Sequence, residues 1–211
     1  MKILSVCPYS FAANTYLLVS GNEAIVVDPS VSLASIEKLL DEQGAVLTGI
    51  LLTHGHFDHT ISVDTIRSKH QIPLMMHSGD EPMLTDGKIN GFYDFYKQES
   101  THAPAQRLLE DGEKIKIGDE HAIVISTPGH SPGSICILCE SDNGKSFMVT
   151  GDTLFADSIG RCDLWGGNES IIRKSLQNLS TYDPAMKIYA GHGLSSTLGS
   201  ALENAKYYID F

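Results

Sequence analysis

The chain has 211 residues, a length that suits one domain, and its 26 acidic against 15 basic residues give a formal net charge of −11. That charge disfavours nucleic acid as a partner, because it repels a phosphate backbone. No apolar run approaches the roughly 18–20 residues of a membrane span. Pro8 and Tyr9 interrupt the start too early for a signal peptide. We therefore expect a single cytoplasmic domain over residues 1–211, while the oligomeric state stays open.

The first half of the chain predicts a β-meander followed by alternating helices and strands. Gly21 and Asn22 separate two short strands as a hairpin turn does. Apolar residues then recur at helical spacing until Gly44, a typical helix stop. The elements expected here are strands at 2–6, 15–19 and 24–27, a helix from Leu33 to Gly44, a strand at 47–53, a helix at 60–70 and a strand at 73–77.

The second half predicts another set of strands and two helices. Between the halves, residues 80–106 are irregular and contain the aromatic segment Phe92–Tyr96. This segment forms either a lid or an aromatic-faced helix packed on the core. The later elements expected are strands at 114–117, 123–126, 134–139, 147–150 and 187–190, with helices at 169–179 and 196–208. Two packed sheets with helices outside accommodate this order.

Two cysteines with CxxC spacing, Cys136 and Cys139, lie within an apolar run that predicts a strand. Positions i and i+3 of a strand point to opposite faces, so the pair suits neither a disulfide nor a shared metal ion. We expect both to be buried apolar-type residues.

Metal-ligand residue types follow four different predicted strands. Such residues share the end of a sheet, where loops carry function on a rigid scaffold. They are His54, His56, Asp58 and His59, then His130, Asp152 and His192. The other four histidines are interpreted as surface or hydrogen-bonded residues: His70, His102, His121 and His77, the last being the one expected nearest the site.

The segment Thr53–His59, here called the histidine run, has a spacing that suits metal binding. His54 and His56 share one face of an extended segment and can bind one ion together. Where the chain turns into the next helix, Asp58 and His59 are redirected towards a second ion. Histidine nitrogens and carboxylate oxygens suit Zn²⁺, and Fe²⁺ or Mn²⁺ fits the same donors. Two ions ~3.5–4 Å apart need a bridging carboxylate, for which Asp152 is the candidate.

The sequence resembles the metallo-β-lactamase superfamily, whose signature is an HxHxDH run followed by a distant His, an Asp and a last His. Similar context surrounds these residues in Val27-Asp28-Pro29, Thr127–Ser134, Gly151–Phe155 and Ala190–Gly193. The resemblance implies an α+β, four-layer αββα fold in which two mixed sheets pack face to face with helices outside. It also implies one metal ion on His54, His56 and His130, another on Asp58, His59 and His192, and a bridge through Asp152.

Within that superfamily, Gly160-Arg161-Cys162-Asp163 is similar to the short bacterial glyoxalase II-like proteins. This resemblance implies hydrolysis of a small-molecule thioester, such as an S-2-hydroxyacylglutathione, by a hydroxide bridging two metal ions. Asp58 is expected to orient that hydroxide. Arg161 and Asp163 are expected behind the ligands, where they orient a histidine or close the loop by a salt bridge. Substrate contacts are not assigned, although Phe92–Tyr96 and Gly160–Asp163 are the candidate segments.

Competing functions remain at this point. Classical glyoxalase II binds glutathione through a C-terminal helical extension. Only about one helix is expected between His192 and Phe211, so such an extension is not expected in this segment. A persulfide dioxygenase would hold one iron on His54, His130 and Asp152. Another ester or lactone hydrolase of the same fold is a further alternative. A β-lactamase fits less well, a nuclease is disfavoured by charge, and a metal-stabilised scaffold without activity is the non-enzymatic alternative.

Overall fold

A computed structural model describes residues 1–6, 12–140 and 146–211 and contains two six-stranded mixed sheets. The fourth cysteine, Cys7, lies outside the described residues. The first sheet keeps its strands in chain order: β1 Lys2–Val6, β2 Thr15–Ser20, β3 Glu23–Val27, β4 Val46–Leu51, β5 Leu74–His77 and β6 Arg107–Leu109. The pairs from β1 to β3 are antiparallel, and those from β3 to β6 are parallel.

The second sheet runs in the spatial order β12-β11-β10-β9-β8-β7. Only β10 and β11 pair in parallel among its described strands. The strands are β7 Lys114–Ile117, β8 Glu120–Ser126, β9 Ile135–Cys139, β10 Phe147–Gly151, β11 Lys187–Ala190 and β12 Ser196–Thr197.

In the described part of the chain, six α-helices connect or cover these strands. Asn168 caps α5 by accepting hydrogen bonds from the Ser170 and Ile171 amides, and Gly44 ends α1 in the left-handed region at φ 60°. The helices are α1 Leu33–Gln43, α2 Val63–His70, α3 Glu81–Thr85, α4 Phe92–Tyr96, α5 Glu169–Leu179 and α6 Leu198–Ala205.

The core lies in three layers of apolar side chains. Alternate residues of a strand point to opposite faces, so Leu18 faces the second sheet while Leu17 packs with α1 and α2. In the second sheet, Val149 faces inward and Met148 packs with α5 and α6. This arrangement confirms the expected fold of two mixed sheets packed face to face with helices outside.

The two cysteines with CxxC spacing, Cys136 and Cys139, follow the same alternation. Cys139 lies in the layer between the sheets, and Cys136 lies in the outer layer beneath α5 and α6. Both are free and buried. Burial raises the pKa of the Cys136 thiol to about 12, which keeps it protonated and unreactive.

Several predicted boundaries were wrong. The helix expected at 60–70 begins at Val63, because Phe57–His59 forms a 3₁₀ turn that carries the end of the histidine run. The last helix is shorter than 196–208, because Ser196 and Thr197 pair with β11. The strand expected from residue 123 begins at Glu120, where the hairpin with β7 extends to a half-exposed end.

The strand β6 was not predicted. Its three residues are mostly exposed, so they show no clear periodicity, and they join the first sheet only by pairing with β5. Within the described part of the chain, no helix has both the length and the apolar composition that crossing a membrane requires.

Candidate metal centre

The structure brings all seven candidate ligands together beyond the ends of four strands. The histidine run follows β4, His130 follows β8, Asp152 follows β10 and His192 follows β11. The ends of β8, β10 and β11 share one edge of the second sheet, because β10 pairs in parallel with β11 and both β8 and β10 are antiparallel to β9. The loops that follow these strands meet the histidine run in one cleft.

Three imidazoles form the first group, defined as His54, His56 and His130. Nε2 of His130 lies 3.3 Å from Nε2 of His54 and 2.9 Å from Nδ1 of His56, and all three residues are buried. Ligand atoms around a tetrahedral Zn²⁺ with bonds of ~2.1 Å are about 3.4 Å apart. The first group therefore has the spacing to hold one divalent cation.

The second group, defined as Asp58, His59 and His192, mixes imidazole and carboxylate. Oδ2 of Asp58 lies 3.1 Å from Nε2 of His192 and 3.9 Å from Nε2 of His59. These atoms could hold a second cation.

Asp152 lies between the two groups. Its Oδ1 is 3.4 Å from Nε2 of His59, and its Oδ2 is 3.5 Å from Nε2 of His192 and 3.7 Å from Nε2 of His130. A Cβ at Gly191 would lie 2.1 Å from Asp152 Oδ1, so only glycine leaves room for this carboxylate.

Two buried polar atoms at the junction of the groups support a cation there. Nε2 of His59 and Oδ1 of Asp152 make no hydrogen bond within the described residues. Although the two atoms attract each other across 3.4 Å, leaving buried polar atoms without a hydrogen bond is costly. A bound cation would satisfy both, so the donor set fits the metal ions that the sequence resemblance implies.

The two groups differ in protonation. Burial, followed by the charge of neighbouring imidazoles, holds the pKa of His54 well below its ordinary value and lowers that of His56 to about 3. Burial also acts to lower the pKa of His59, but three surrounding carboxylates, Asp152 foremost, outweigh it and raise that pKa well above its ordinary value. His54 and His56 thus offer neutral imidazoles, while the second group is a charge-paired cluster.

Asp28, noted in the sequence only as part of Val27-Asp28-Pro29, orients a histidine in each group. Its Oδ2 accepts hydrogen bonds from Nδ1 of His59 at 2.9 Å and from Oγ1 of Thr53 at 2.7 Å. The same Thr53 oxygen lies 3.1 Å from Nδ1 of His54. Asp28 thereby turns Nε2 of both histidines towards the centre. An acidic residue directly after a buried strand was the available signal.

A carboxylate that the sequence reasoning did not include, Asp80, joins two ligand loops. Its Oδ2 accepts from the Gly55 amide at 3.0 Å and the Ser131 hydroxyl at 2.5 Å, and its Oδ1 accepts from the Gly133 amide at 2.6 Å. Burial raises the pKa of Asp80 in spite of these hydrogen bonds, each of which acts to lower it. Asp80 ties the histidine run to the loop that carries His130.

The charged pair expected behind the ligands is exposed. Nε of Arg161 lies 2.6 Å from Oδ1 of Asp163, and its NH2 nitrogen lies 2.7 Å from Oδ2, so the two side chains close their own loop. The contact with a candidate ligand comes from the Arg161 main chain, whose carbonyl oxygen is 2.7 Å from Nδ1 of His130.

A cavity of about 390 Å³, a size typical of small-molecule sites, is lined by five of the seven side chains: His56, Asp58, His130, Asp152 and His192. Phe57, Phe95 and Leu164 supply its apolar lining.

The other four histidines lie outside the candidate ligand groups. His102, for example, is 2.9 Å from Asp64, and His70 is 3.4 Å from Glu37.

Comparison with known proteins agrees with this geometry. The family described as "Metallo-beta-lactamase superfamily" matches residues 9–192. "Probable metallo-hydrolase YqgX" of Bacillus subtilis is 35% identical over 182 residues, covering 86% of this chain and 85% of that protein.

Two solved structures are also similar. The BLEG-1 B3 metallo-β-lactamase is 30% identical with a TM-score of 0.86, covering 98% of this chain and 99% of the other. TTHA1623, solved in a di-iron-bound form, is 27% identical with a TM-score of 0.80, covering 98% and 100%. With the family match spanning most of its length, this chain belongs to the metallo-β-lactamase superfamily.

Proposed function

We propose that this metallo-hydrolase cleaves thioesters, with S-2-hydroxyacylglutathione as the reference substrate, using water activated between two divalent cations. The observation that carries the proposal is the pair of ligand groups that share Asp152. One group consists of imidazoles and the other contains a carboxylate, and both contribute side chains to the same cavity.

The first group would hold one cation, the second group would hold the other, and Asp152 would contact both. When bound, such ions lower the pKa of water towards neutrality and polarise a carbonyl oxygen. Zn²⁺ is the ion we propose, and Fe²⁺ or Mn²⁺ suits the same donors. The di-iron form of TTHA1623 is a reason to include iron in the test.

The nucleophile is water, because no Ser, Thr or Cys side chain is among the cavity-lining residues that the structure describes. Asp58 lines the cavity and is placed to orient the attacking water and accept its proton. Water adds to the carbonyl carbon and the carbon–sulfur bond breaks, which gives a carboxylate, a thiol or thiolate, and the balancing proton. A thiol has a pKa of about 8.5, so it leaves with little need for a general acid.

The test is a panel of substrates with protein loaded separately with zinc, iron or manganese. The panel contains S-lactoylglutathione, a simple aliphatic thioester, an aryl ester, a lactone and a chromogenic β-lactam. We expect kcat/KM for a thioester to exceed that for the oxygen ester and lactone by at least about tenfold. A larger kcat/KM for the lactone or ester would overturn the proposed substrate class.

β-Lactam hydrolysis is a second candidate, favoured by one observation: BLEG-1, which is 30% identical, is described as a B3 metallo-β-lactamase. The β-lactam in the panel decides between the two. The mononuclear-iron dioxygenase alternative is decided by metal analysis, since it requires one iron per chain and oxygen uptake.

A further inference from the structure

Four aromatic side chains stand beside the cavity and take no part in metal ligation. We call them the aromatic wall, defined as Phe57, Phe92, Phe95 and Tyr96. The Phe57 ring centroid lies 5.4 Å from Phe92, 5.8 Å from Phe95 and 6.0 Å from Tyr96. Phe92 and Tyr96 stack at 4.6 Å. Phe57 is itself within the histidine run, so the wall is continuous with the ligand loop.

The wall is fixed to that loop by hydrogen bonds of the Asn90 main chain and side chain. The Phe57 amide donates to the Asn90 carbonyl at 3.0 Å. The Asn90 side chain, which is buried, accepts from the Phe92 amide at 3.1 Å and donates to the Ser100 carbonyl at 2.8 Å. The start of α4 is therefore held in place, which gives a preorganised surface.

The outer part of the wall remains exposed to solvent at the cavity mouth. Phe95 lines the cavity and is 53% exposed, and Tyr96 is 56% exposed. Trp165 and Leu194, at 40% and 82%, each adjoin a cavity-lining residue in the sequence. Ring packing covers Phe57 and Phe92, whereas Phe95 and Tyr96 each keep about half of their surface in contact with solvent. Clustered exposed apolar groups around a cleft are typical of ligand-binding grooves.

The charged residues that line the cavity also favour an apolar substrate arm. Arg161 is the one Lys or Arg side chain among the described cavity-lining residues, and both its bonded nitrogens face Asp163. A substrate arm with free carboxylates, glutathione included, would thus meet no unpaired Lys or Arg on the described lining, whereas an apolar arm would meet the rings. This lining therefore favours an apolar arm over the glutathione of the reference substrate.

From these observations we infer that the site selects thioesters by an apolar arm that binds against the aromatic wall, with Phe95 as a specificity-determining residue. This inference rests on the proposed thioester hydrolysis. Burying a methylene group against the wall favours binding by about two- to fourfold, depending on how fully the group is covered. Specificity should therefore rise with chain length.

The experiment uses the zinc-loaded full chain and two series of neutral thioesters. The first contains acetyl, butyryl and hexanoyl thioesters of N-acetylcysteamine. The second contains acetyl thioesters of ethanethiol, butanethiol and hexanethiol, which moves the methylenes to the other side of the sulfur. The readout is the ratio of kcat/KM between the longest and shortest member. Because this ratio is taken within one preparation, incomplete folding or metal loading of a variant does not change it.

In the wild-type protein we expect a ratio of at least about tenfold in one series. Phe95→Ala should reduce it to within about threefold of unity, and Phe95→Leu should give an intermediate value. The matched control is Tyr93→Ala, on the same helix but outside the cavity lining, which should keep the wild-type ratio.

Ratios near unity in both wild-type series, with thioesters still hydrolysed, would overturn the inference and leave the proposed function intact. A Phe95→Ala ratio equal to that of wild type would also overturn it. If no thioester is hydrolysed at all, the proposed function fails, and this inference fails with it.

Discussion

The cavity has two sides that are built differently. Its floor, the seven candidate ligands, consists of largely buried side chains, of which His59 is oriented by the Asp28 carboxylate and His130 by the Arg161 carbonyl. Its aromatic wall is held by ring packing and remains exposed at its outer end. The difference indicates that the reaction and its selectivity depend on separate residues, so a change on one side should leave the property of the other measurable.

The largest expected effect belongs to Asp152, the floor residue that contacts both ligand groups. Asp152→Ala should lower kcat/KM by about a thousandfold or more, because metal ions stabilise the transition state by several kcal/mol only when their ligand set is complete. Metal content per chain should also fall. The measurement is thioester hydrolysis beside metal analysis, with the exposed Asp157→Ala as a nearby control. Full activity in Asp152→Ala would contradict the assignment.

The Asp28→Asn variant tests whether the hydrogen bond between Asp28 and His59 matters for metal binding. In Asp28→Asn an amide can face Nδ1 of His59 in place of the oxygen that now accepts its hydrogen bond. The ring then favours the tautomer that carries the proton on Nε2, and metal affinity should fall by about 10- to 100-fold. Competition with a chelator measures this. Asp64→Asn, at the exposed pair with His102, is the control and should keep wild-type affinity.

Asp80 should affect stability more than chemistry. Asp80→Asn places an amide among three donors, so at least one hydrogen bond to Gly55, Ser131 or Gly133 is lost. We expect the free energy of unfolding to fall by about 1–3 kcal/mol, measured by urea denaturation. Metal affinity should fall less than in Asp28→Asn. A loss of affinity without a loss of stability would show that Asp80 acts on the ligands rather than on the loops.

The smallest effect is expected on the wall. Tyr96→Ala removes a ring that is 56% exposed and lies against Phe57 and Phe92. KM for an apolar thioester should rise by about two- to fivefold, since part of one apolar contact is lost. The number of metal ions per chain should not change. A change in metal content would break the separation between floor and wall.

Most residues of the floor could be predicted because their immediate neighbours in the sequence mark them. Residues of metal-ligand type follow apolar strands. The spacing within the histidine run alone divides its four ligands into two pairs, His54 with His56 and Asp58 with His59. Alternation along β9 likewise predicted opposite faces for Cys136 and Cys139. These features depend on neighbours within a few positions, which a sequence pattern contains.

The wall and the supporting carboxylates depend on distant partners. Asp80 bonds to residues 25 positions before it and more than 50 after it, and no periodicity marks such pairs. For Phe92–Tyr96, the sequence left a lid and a packed helix equally open. The short helix α4 combines features of both, because Phe92 packs on Phe57 while Phe95 remains exposed over the cavity.

The most direct test of the two-metal floor is a metal titration of the chelator-treated protein, with stoichiometry followed by mass spectrometry and thioester hydrolysis measured at each step. We predict two zinc ions per chain, no activity without metal, and full activity only when both ligand groups are filled. One iron per chain with oxygen uptake, or undiminished hydrolysis by the metal-free protein, would contradict it.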